Sequence, residues 1–288
     1  MSQRRVDPLA LDTVWIASQR QSRPNLPASG CPFCVGGLEA PEPYSTRWFA
    51  NRWPAMPDQR CEVLLYTPRH DAALWELGDE GVAAVVELWA ERTAFHGARD
   101  DVASVLAFEN RGQEVGATIA HPHGQLYAFA AVPARQKRLF SSSQSPSRQI
   151  EPAVLDGRTV ARSGPWTALV PFAPRWPYSL LIASSDAAPD LVETPSADRA
   201  ALAAVLREVT ARLDALFAAP MPYMLWVNQR PFDGASWAVN EMSVEIAPLF
   251  RSPGTPRYVA AAEVATEEYF DPIDPADAAR ALRELSLP

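Results

Sequence analysis

A chain of 288 residues is long for one hydrophobic core and accommodates two compact units of roughly 100 to 150 residues each. With 48% hydrophobic residues, 21% charged residues and nine tryptophans it can bury a sizeable core, which excludes global disorder. The net charge of -8 excludes a surface that grips duplex nucleic acid by counterion release, and no apolar run approaches the roughly 18 residues of a membrane span, so a soluble, cytoplasmic protein without a nucleic-acid or membrane partner is expected.

The predicted elements fall into two matching series. Phe49-Ala-Asn-Arg52-Trp53-Pro54 recurs as Phe172-Ala-Pro-Arg175-Trp176-Pro177, with five identities in six. After the first copy come an apolar strand at Val63 to Tyr66, an amphipathic helix from Asp79 to Phe95 closed by Gly97, and strands at Val105 to Glu109 and Leu126 to Ala128. After the second come a strand at Ser179 to Ala183, a helix at Ser196 to Phe217, and strands at Met224 to Asn228 and Ile246 to Ala247. His121 and His123 align with Glu241 and Ser243 at a spacing of 120, and Asn110 aligns with Asn228 at 118, so only short loops differ. The order strand, helix, strand, strand predicts an α+β fold, a duplicated unit forming one extended, mostly antiparallel sheet with helices packed on it. Residues 1–133 then form the first half, 134–164 a polar connection with a short helix near Ala134 to Phe140, and 165–288 the second half.

Chemistry is sought among scarce residues. Only Lys137 is a lysine, and a Schiff-base mechanism has no other candidate. Three cysteines make no disulfide framework, and Cys31 and Cys34 form a C-x-x-C suited to metal or redox chemistry. Cys31, Cys34, His70 and His121 together suit tetrahedral zinc, the competing reading being an inert cysteine pair with surface histidines. His121-Pro122-His123 sets two imidazoles on one side of an extended segment. One ring can then hold a metal while the other acts as a nucleophile toward phosphorus, with Gly124 admitting a ligand to the backbone and the Gln125 amide donating to a phosphoryl oxygen. The bland alternative is two solvent-facing histidines on a strand.

The run Phe108-Glu109-Asn110-Arg111-Gly112, then Gly116-Ala117-Thr118, then His121-Pro122-His123-Gly124-Gln125, resembles the active-site signature of galactose-1-phosphate uridylyltransferases, members of the histidine-triad superfamily. Residues 15–24, Cys31-Pro-Phe-Cys34, Thr67-Pro-Arg-His70 and Pro248-Leu-Phe-Arg-Ser252 follow in the family's order. The resemblance implies a duplicated histidine-triad fold, a homodimer, and transfer of a uridylyl group from a UDP-sugar to a sugar 1-phosphate. It assigns His123 as the nucleophile and Gln125 as its phosphoryl partner, with Thr118 assisting. It makes Cys31, Cys34, His70 and His121 a structural zinc set. It places Arg20 and Arg23 near the diphosphate and Phe49, Asn51, Phe108 and Asn110 around the nucleotide, where the residues alone would read as solvated arginines, core aromatics and turn asparagines.

Two departures stand out. Where family members carry histidines for a second metal, this chain reads Glu241-Met242-Ser243 and has no histidine after His123, so a second metal site is expected to be absent. Near the C-terminus Arg257 and Tyr258 remain as acceptor contacts, while Ala262 and Tyr269 stand where tyrosine and glutamine are usual, which leaves the acceptor sugar open. Two other functions stay open: a relative acting on ADP-sugars or dinucleoside polyphosphates by the same histidine chemistry, and a non-catalytic nucleotide-binding protein.

Overall fold

The computed structural model describes residues 2–22 and 30–287. A hairpin of β1 (Ser2–Val6) and β2 (Thr13–Ala17) precedes the main body. That body is one nine-stranded antiparallel sheet built from β3 (Arg47–Ala50), β4 (Cys61–Leu65), β5 (Ser104–Arg111), β6 (His123–Phe129), β7 (Thr159–Ser163), β8 (Trp166–Leu169), β9 (Leu180–Ser184), β10 (Tyr223–Asn228) and β11 (Ser243–Pro248). Their spatial order is β3-β4-β6-β5-β10-β11-β9-β8-β7. The strands β8, β9, β11 and β10 mirror β3, β4, β6 and β5, and the two sets meet at the antiparallel pair β5–β10, where Glu109 lies opposite Leu225.

Period-two patterning decides which face is covered. Along β6 the residues Gly124, Leu126 and Ala128 are buried, while His123, Gln125, Tyr127 and Phe129 on the other face are half-buried. The buried face packs under α1 (Gly78–Gly97) and α4 (Ser196–Leu216). Val82, Val85, Val86 and Trp89 of α1 recur at helical spacing, as do Leu202, Val205, Leu206, Val209 and Leu213 of α4, and all nine are fully buried. Each such aliphatic side chain stabilises the fold by about 1.5–3 kcal/mol relative to exposure, so this layer is the dominant cohesive element. The opposite face is left to the chemistry.

The connection is more structured than its polar composition predicts. It holds α2 (Ala134–Phe140), α3 (Ile150–Leu155) and β7, which belongs to the sheet. Val160 and Ala161 are buried there, and Gly164, at φ +51°, turns the chain into β8. The surrounding serines, arginines and glutamines mask that short strand in the sequence. Beyond β11 lie the hairpin β12 (Phe250–Ser252) and β13 (Thr255–Pro256), then α5 (Ala261–Thr266) and α6 (Pro275–Arg283). Asp274 caps α6 by accepting from the N–H groups of Ala276 and Asp277, with Pro275 at the first helical position.

Candidate active site

Four potential ligands from distant parts of the chain converge at the start of β6. The donor atoms of Cys31, Cys34, His70 and His121 all lie within 4.8 Å of one another. Cys34 Sγ is 3.4 Å from His70 Nδ1 and 3.7 Å from His121 Nδ1, and Cys31 Sγ is 3.8 Å from His121 Nδ1. A tetrahedral cation with bonds of about 2.0–2.3 Å sets its N and S ligands roughly 3.3–3.8 Å apart, so the cluster has the dimensions of a closed four-ligand site. Its outer contacts fit the same role. The buried His121 donates from Nε2 to the Thr67 carbonyl at 2.7 Å, which leaves the Nδ1 lone pair directed at the cysteines. Tyr44 Oη donates to the Phe33 carbonyl at 2.7 Å and lies 2.9 Å from His121 Nε2. Burial, reinforced by the two cysteines, pushes the Tyr44 phenol up to about 12. Burial also lowers the proton affinity of His121, with His70 adding to the effect, which keeps its imidazole neutral as a ligand must be. Burial and the neighbouring Cys31 raise the Cys34 thiol above its ordinary value.

His123 opens β6, opposite Leu65 of β4. Its Nδ1 donates to the His121 carbonyl at 2.8 Å, which places the ring lone pair on Nε2. Phe33 packs edge-on against both imidazoles, with centroid distances of 6.1 Å to His121 and 5.1 Å to His123. The ligand cluster and the second imidazole therefore form one rigid assembly. Gln125 shares the open face with His123 and lies between Val63 of β4 and Phe108 of β5. Gly124 has a different reason to be glycine from the one its sequence context offers. It points into the core, where a Cβ would lie 2.0 Å from the Tyr66 hydroxyl.

The remaining sequence candidates separate into groups. Phe108 stacks edge-on against Tyr127 at 4.9 Å, and Phe49 against Phe33 at 5.7 Å, so both line the open face near His123 and Gln125. Asn110 follows Phe108 along β5, and Thr118 lies half-buried in the loop between β5 and β6. Asn51 is engaged locally, its Oδ1 accepting the Trp53 N–H at 2.9 Å. Arg20 sits in the helical turn Ser18–Ser22, and Arg23 lies outside the described residues. Arg257 is engaged within the second half. It is buried, ion-paired with Glu263, and stacked over Trp176 at 4.6 Å, whereas its neighbour Tyr258 is 76% exposed.

A cleft of about 990 Å³ lies at the end of the sheet, bordered by Asn110, Gly112, Ala117, His121 and His123 on one side and by Trp75 and Asp214 on the other. A separate cavity of about 820 Å³ lies over β9, β10 and β11 and holds Arg135, Glu241 and Glu245 rather than the histidines. There Glu241 accepts from the Ser147 N–H at 2.9 Å and from Ser147 Oγ at 3.0 Å, and Arg135 grips Glu245 with both contacts at 2.8 Å. Sequence reading missed one group altogether. Glu109 is buried on β5, accepts the Tyr223 hydroxyl at 2.9 Å, and is pushed up to about 7 by burial. Only its position inside a predicted strand, on the face where valine would be expected, signals it.

Residues 45–133 match the model of the N-terminal domain of galactose-1-phosphate uridyl transferase, and residues 147–252 match that of its C-terminal domain. The chain belongs to the galactose-1-phosphate uridylyltransferase family of nucleotidyltransferases. A galactose-1-phosphate uridylyltransferase of Thermotoga maritima is 33% identical, over 100% of this chain and 99% of that protein. One of Streptomyces lividans is 32% identical, over 80% of this chain and 71% of that protein. Among solved structures, a uridylyltransferase superposes with a TM-score of 0.89 at 25% identity, covering 98% of each chain. An ADP-glucose phosphorylase from Arabidopsis thaliana with bound ADP-glucose superposes with a TM-score of 0.78 at 20% identity over 100% of both chains, a likeness of fold alone. No helix among the described residues is long and apolar enough to cross a membrane.

Proposed function

We propose that the protein is a UDP-glucose:hexose-1-phosphate uridylyltransferase that works by double displacement through His123. The Nε2 lone pair of His123 attacks the α-phosphorus of a UDP-sugar, the bond from that phosphorus to the bridging oxygen breaks, and the sugar 1-phosphate leaves. A phosphate oxygen of a second sugar 1-phosphate then attacks the same phosphorus, and the bond to Nε2 breaks. The observation that carries this reading is the 2.8 Å hydrogen bond from His123 Nδ1 to the His121 carbonyl, which fixes the tautomer with its lone pair on Nε2 and stabilises the ring as it gains positive charge. Gln125 donates its amide to the phosphoryl oxygens, and Thr118 assists from the preceding loop.

In this reading Phe49, Asn51, Phe108 and Asn110 hold the nucleotide, and Arg20 and Arg23 meet the diphosphate. Tyr258 is the exposed arm on the acceptor side, with Arg257 anchoring it, and it reaches a neighbouring subunit's site in a homodimer. Cys31, Cys34, His70 and His121 hold a structural zinc ion, whose bound form supplies rigidity beneath His123 rather than a reacting group. The reaction belongs to the cytoplasm, where sugar nucleotides are held.

Intact-protein mass spectrometry tests the reading, after separate incubation with UDP-glucose, UDP-galactose and ADP-glucose, followed by galactose 1-phosphate or inorganic phosphate. The expected result is a uridylyl adduct on the wild type, absent from His123→Ala and discharged by galactose 1-phosphate. An adenylyl adduct discharged by phosphate would replace this assignment with an ADP-sugar phosphorylase. No adduct with any donor would refute nucleotidyl transfer.

A further inference from the structure

The buried polar cluster beneath the nucleophile has no counterpart in the duplicated half. His123, Gly124 and Gln125 pair with Leu65, Leu64 and Val63, just as Ser243, Val244 and Glu245 pair with Ala183, Ile182 and Leu181. This register makes Gly124 equivalent to Val244 and Tyr66 equivalent to Ser184. The pairs Phe108–Gln125 and Trp226–Glu245 likewise make Glu109 equivalent to Val227. Val227 and Val244 are both 0% exposed and fill the same layer under the helices. The fold is therefore satisfied by Val227 and Ser184 where the half with the histidines buries a carboxyl group and a phenol, and by Val244 where that half has Gly124. Burial of such groups is costly, and here it is incompletely compensated: Tyr66 Oη, Glu109 Oε2 and the Trp89 ring N–H make no hydrogen bond of good geometry.

We infer that Tyr66, with Glu109 and Tyr223 behind it, is a positioning element for His123. Tyr66 holds the nucleophile segment from two directions. Its backbone N–H donates to the Pro122 carbonyl at 3.3 Å, and its hydroxyl lies against Gly124 so closely that only glycine fits. Trp89 closes on the Tyr66 ring edge-on at 6.1 Å, and Glu109, held by the Tyr223 hydroxyl at 2.9 Å, is the carboxyl neighbour of the Tyr66 hydroxyl in the same enclosed space. The residues on both sides of His123 are thus held by one residue, Pro122 by its backbone and Gly124 by its enclosed ring. The three side chains act through the placement of the imidazole.

The kinetic part of this inference rests on the His123 reaction proposed above, and its structural part does not. Tyr66→Phe, Glu109→Gln and the double variant are compared with the wild type by single-turnover adduct formation from UDP-glucose. In parallel, 15N NMR reads the ring tautomer of His123, one of four histidines in the chain. Each single variant is expected to slow adduct formation at saturating donor about tenfold, with the half-saturating donor concentration changed less than about twofold. The double variant is expected to be no slower than the slower single one, because the groups act as a unit. His123 in the variants is expected to lose its single Nδ1–H tautomer. Ser184→Ala, at the equivalent place in the other half, is expected to leave both readouts unchanged. Wild-type rates together with an unchanged tautomer in both single variants would overturn the inference. If the wild type forms no adduct with any donor, the reaction above has failed and the tautomer decides: its loss in the variants supports positioning, its persistence overturns it.

Discussion

Gly124→Ala puts the packing beneath the His123 strand to the most direct test. The new Cβ would meet Tyr66 Oη at 2.0 Å, Tyr66 Cζ at 2.9 Å and the Phe108 carbonyl at 3.0 Å. Relaxed contacts between such atoms lie near 3.5 Å, so the ring or the strand must retreat by more than about 1 Å. Tyr66 is only 2% exposed and is backed by Trp89 at 0%, which leaves the phenol nowhere to go. Overpacking of a closed core costs about 1–3 kcal/mol, and the trapped ring places this substitution at the upper end. For a chain of this size the loss corresponds to a fall in Tm of about 4–8 °C. Calorimetry or far-UV circular dichroism reads that shift. Adding Tyr66→Phe removes the atom at 2.0 Å and leaves the one at 2.9 Å, so the pair of substitutions should regain about half of the lost Tm. A Tm within about 1 °C of wild type for Gly124→Ala, or no recovery on adding Tyr66→Phe, would refute the packing described.

Other substitutions probe separate parts of the molecule. Arg92 grips Glu62 through two hydrogen bonds at 2.9 and 2.7 Å in a buried setting, so Glu62→Ala strands a buried cation and should cost about 3–5 kcal/mol in urea unfolding, a loss below 1 kcal/mol counting against it. Burial works against ionised Glu62, but His96 and Arg92 outweigh it and lower its pKa, so this contribution is present above about pH 4.5 and fades as pH falls through the lower folded value. Glu109 has the opposite sign. Burial raises it to about 7, the native state holds the extra proton, and stability attached to that proton is full below about pH 4.5 and lost as pH rises through 7. Glu109→Gln should therefore gain on wild type by about 2–3 kcal/mol between pH 5 and pH 8, and a pH-independent difference would show that the carboxyl does not titrate there. Removal of bound metal by a chelator, verified by elemental analysis, should lower Tm by more than 5 °C or so, and unchanged melting would argue against a structural ion.

Much of this was legible in the sequence because the signals were local. Helical spacing in Val82, Val85, Val86 and Trp89, alternation along His123 to Phe129, and the repeated Phe-Ala-x-Arg-Trp-Pro segment each report a period or an identity. Scarcity did the rest. With three cysteines and four histidines in 288 residues, a four-ligand set had few possible members, and the structure brings Cys31, Cys34, His70 and His121 together. Long-range partnerships left no such trace. Nothing around Tyr44 announces that its hydroxyl reaches His121, and nothing around Arg257, expected as an acceptor contact, announces that Glu263 and Trp176 close over it. Glu109 was hidden because a charged residue within a strand is ordinarily placed on the solvent face, and only the register of β5 turns it inward.

The second half, which carries no histidine, still braces the first. Tyr223 on β10 reaches across the seam to Glu109, and Asp214 on α4 gathers three groups, Arg111 and Trp75 of the first half and the Met221 N–H of the second. Arg111 binds Asp214 with contacts at 2.5 and 2.9 Å, the Trp75 ring N–H donates to it at 2.8 Å, and the Met221 N–H donates at 2.9 Å. Arg111 is the last residue of β5 and the point where the loop leading to His123 begins. A carboxylate from the second half thus fixes the base of the loop that leads to His123. The seam between halves is continuous backbone pairing of β5 with β10, so displacement of one half would shear the ladder next to Asn110. The segment around His123 is therefore braced from both sides of the seam, by its own strands and by Asp214 and Tyr223 of the second half.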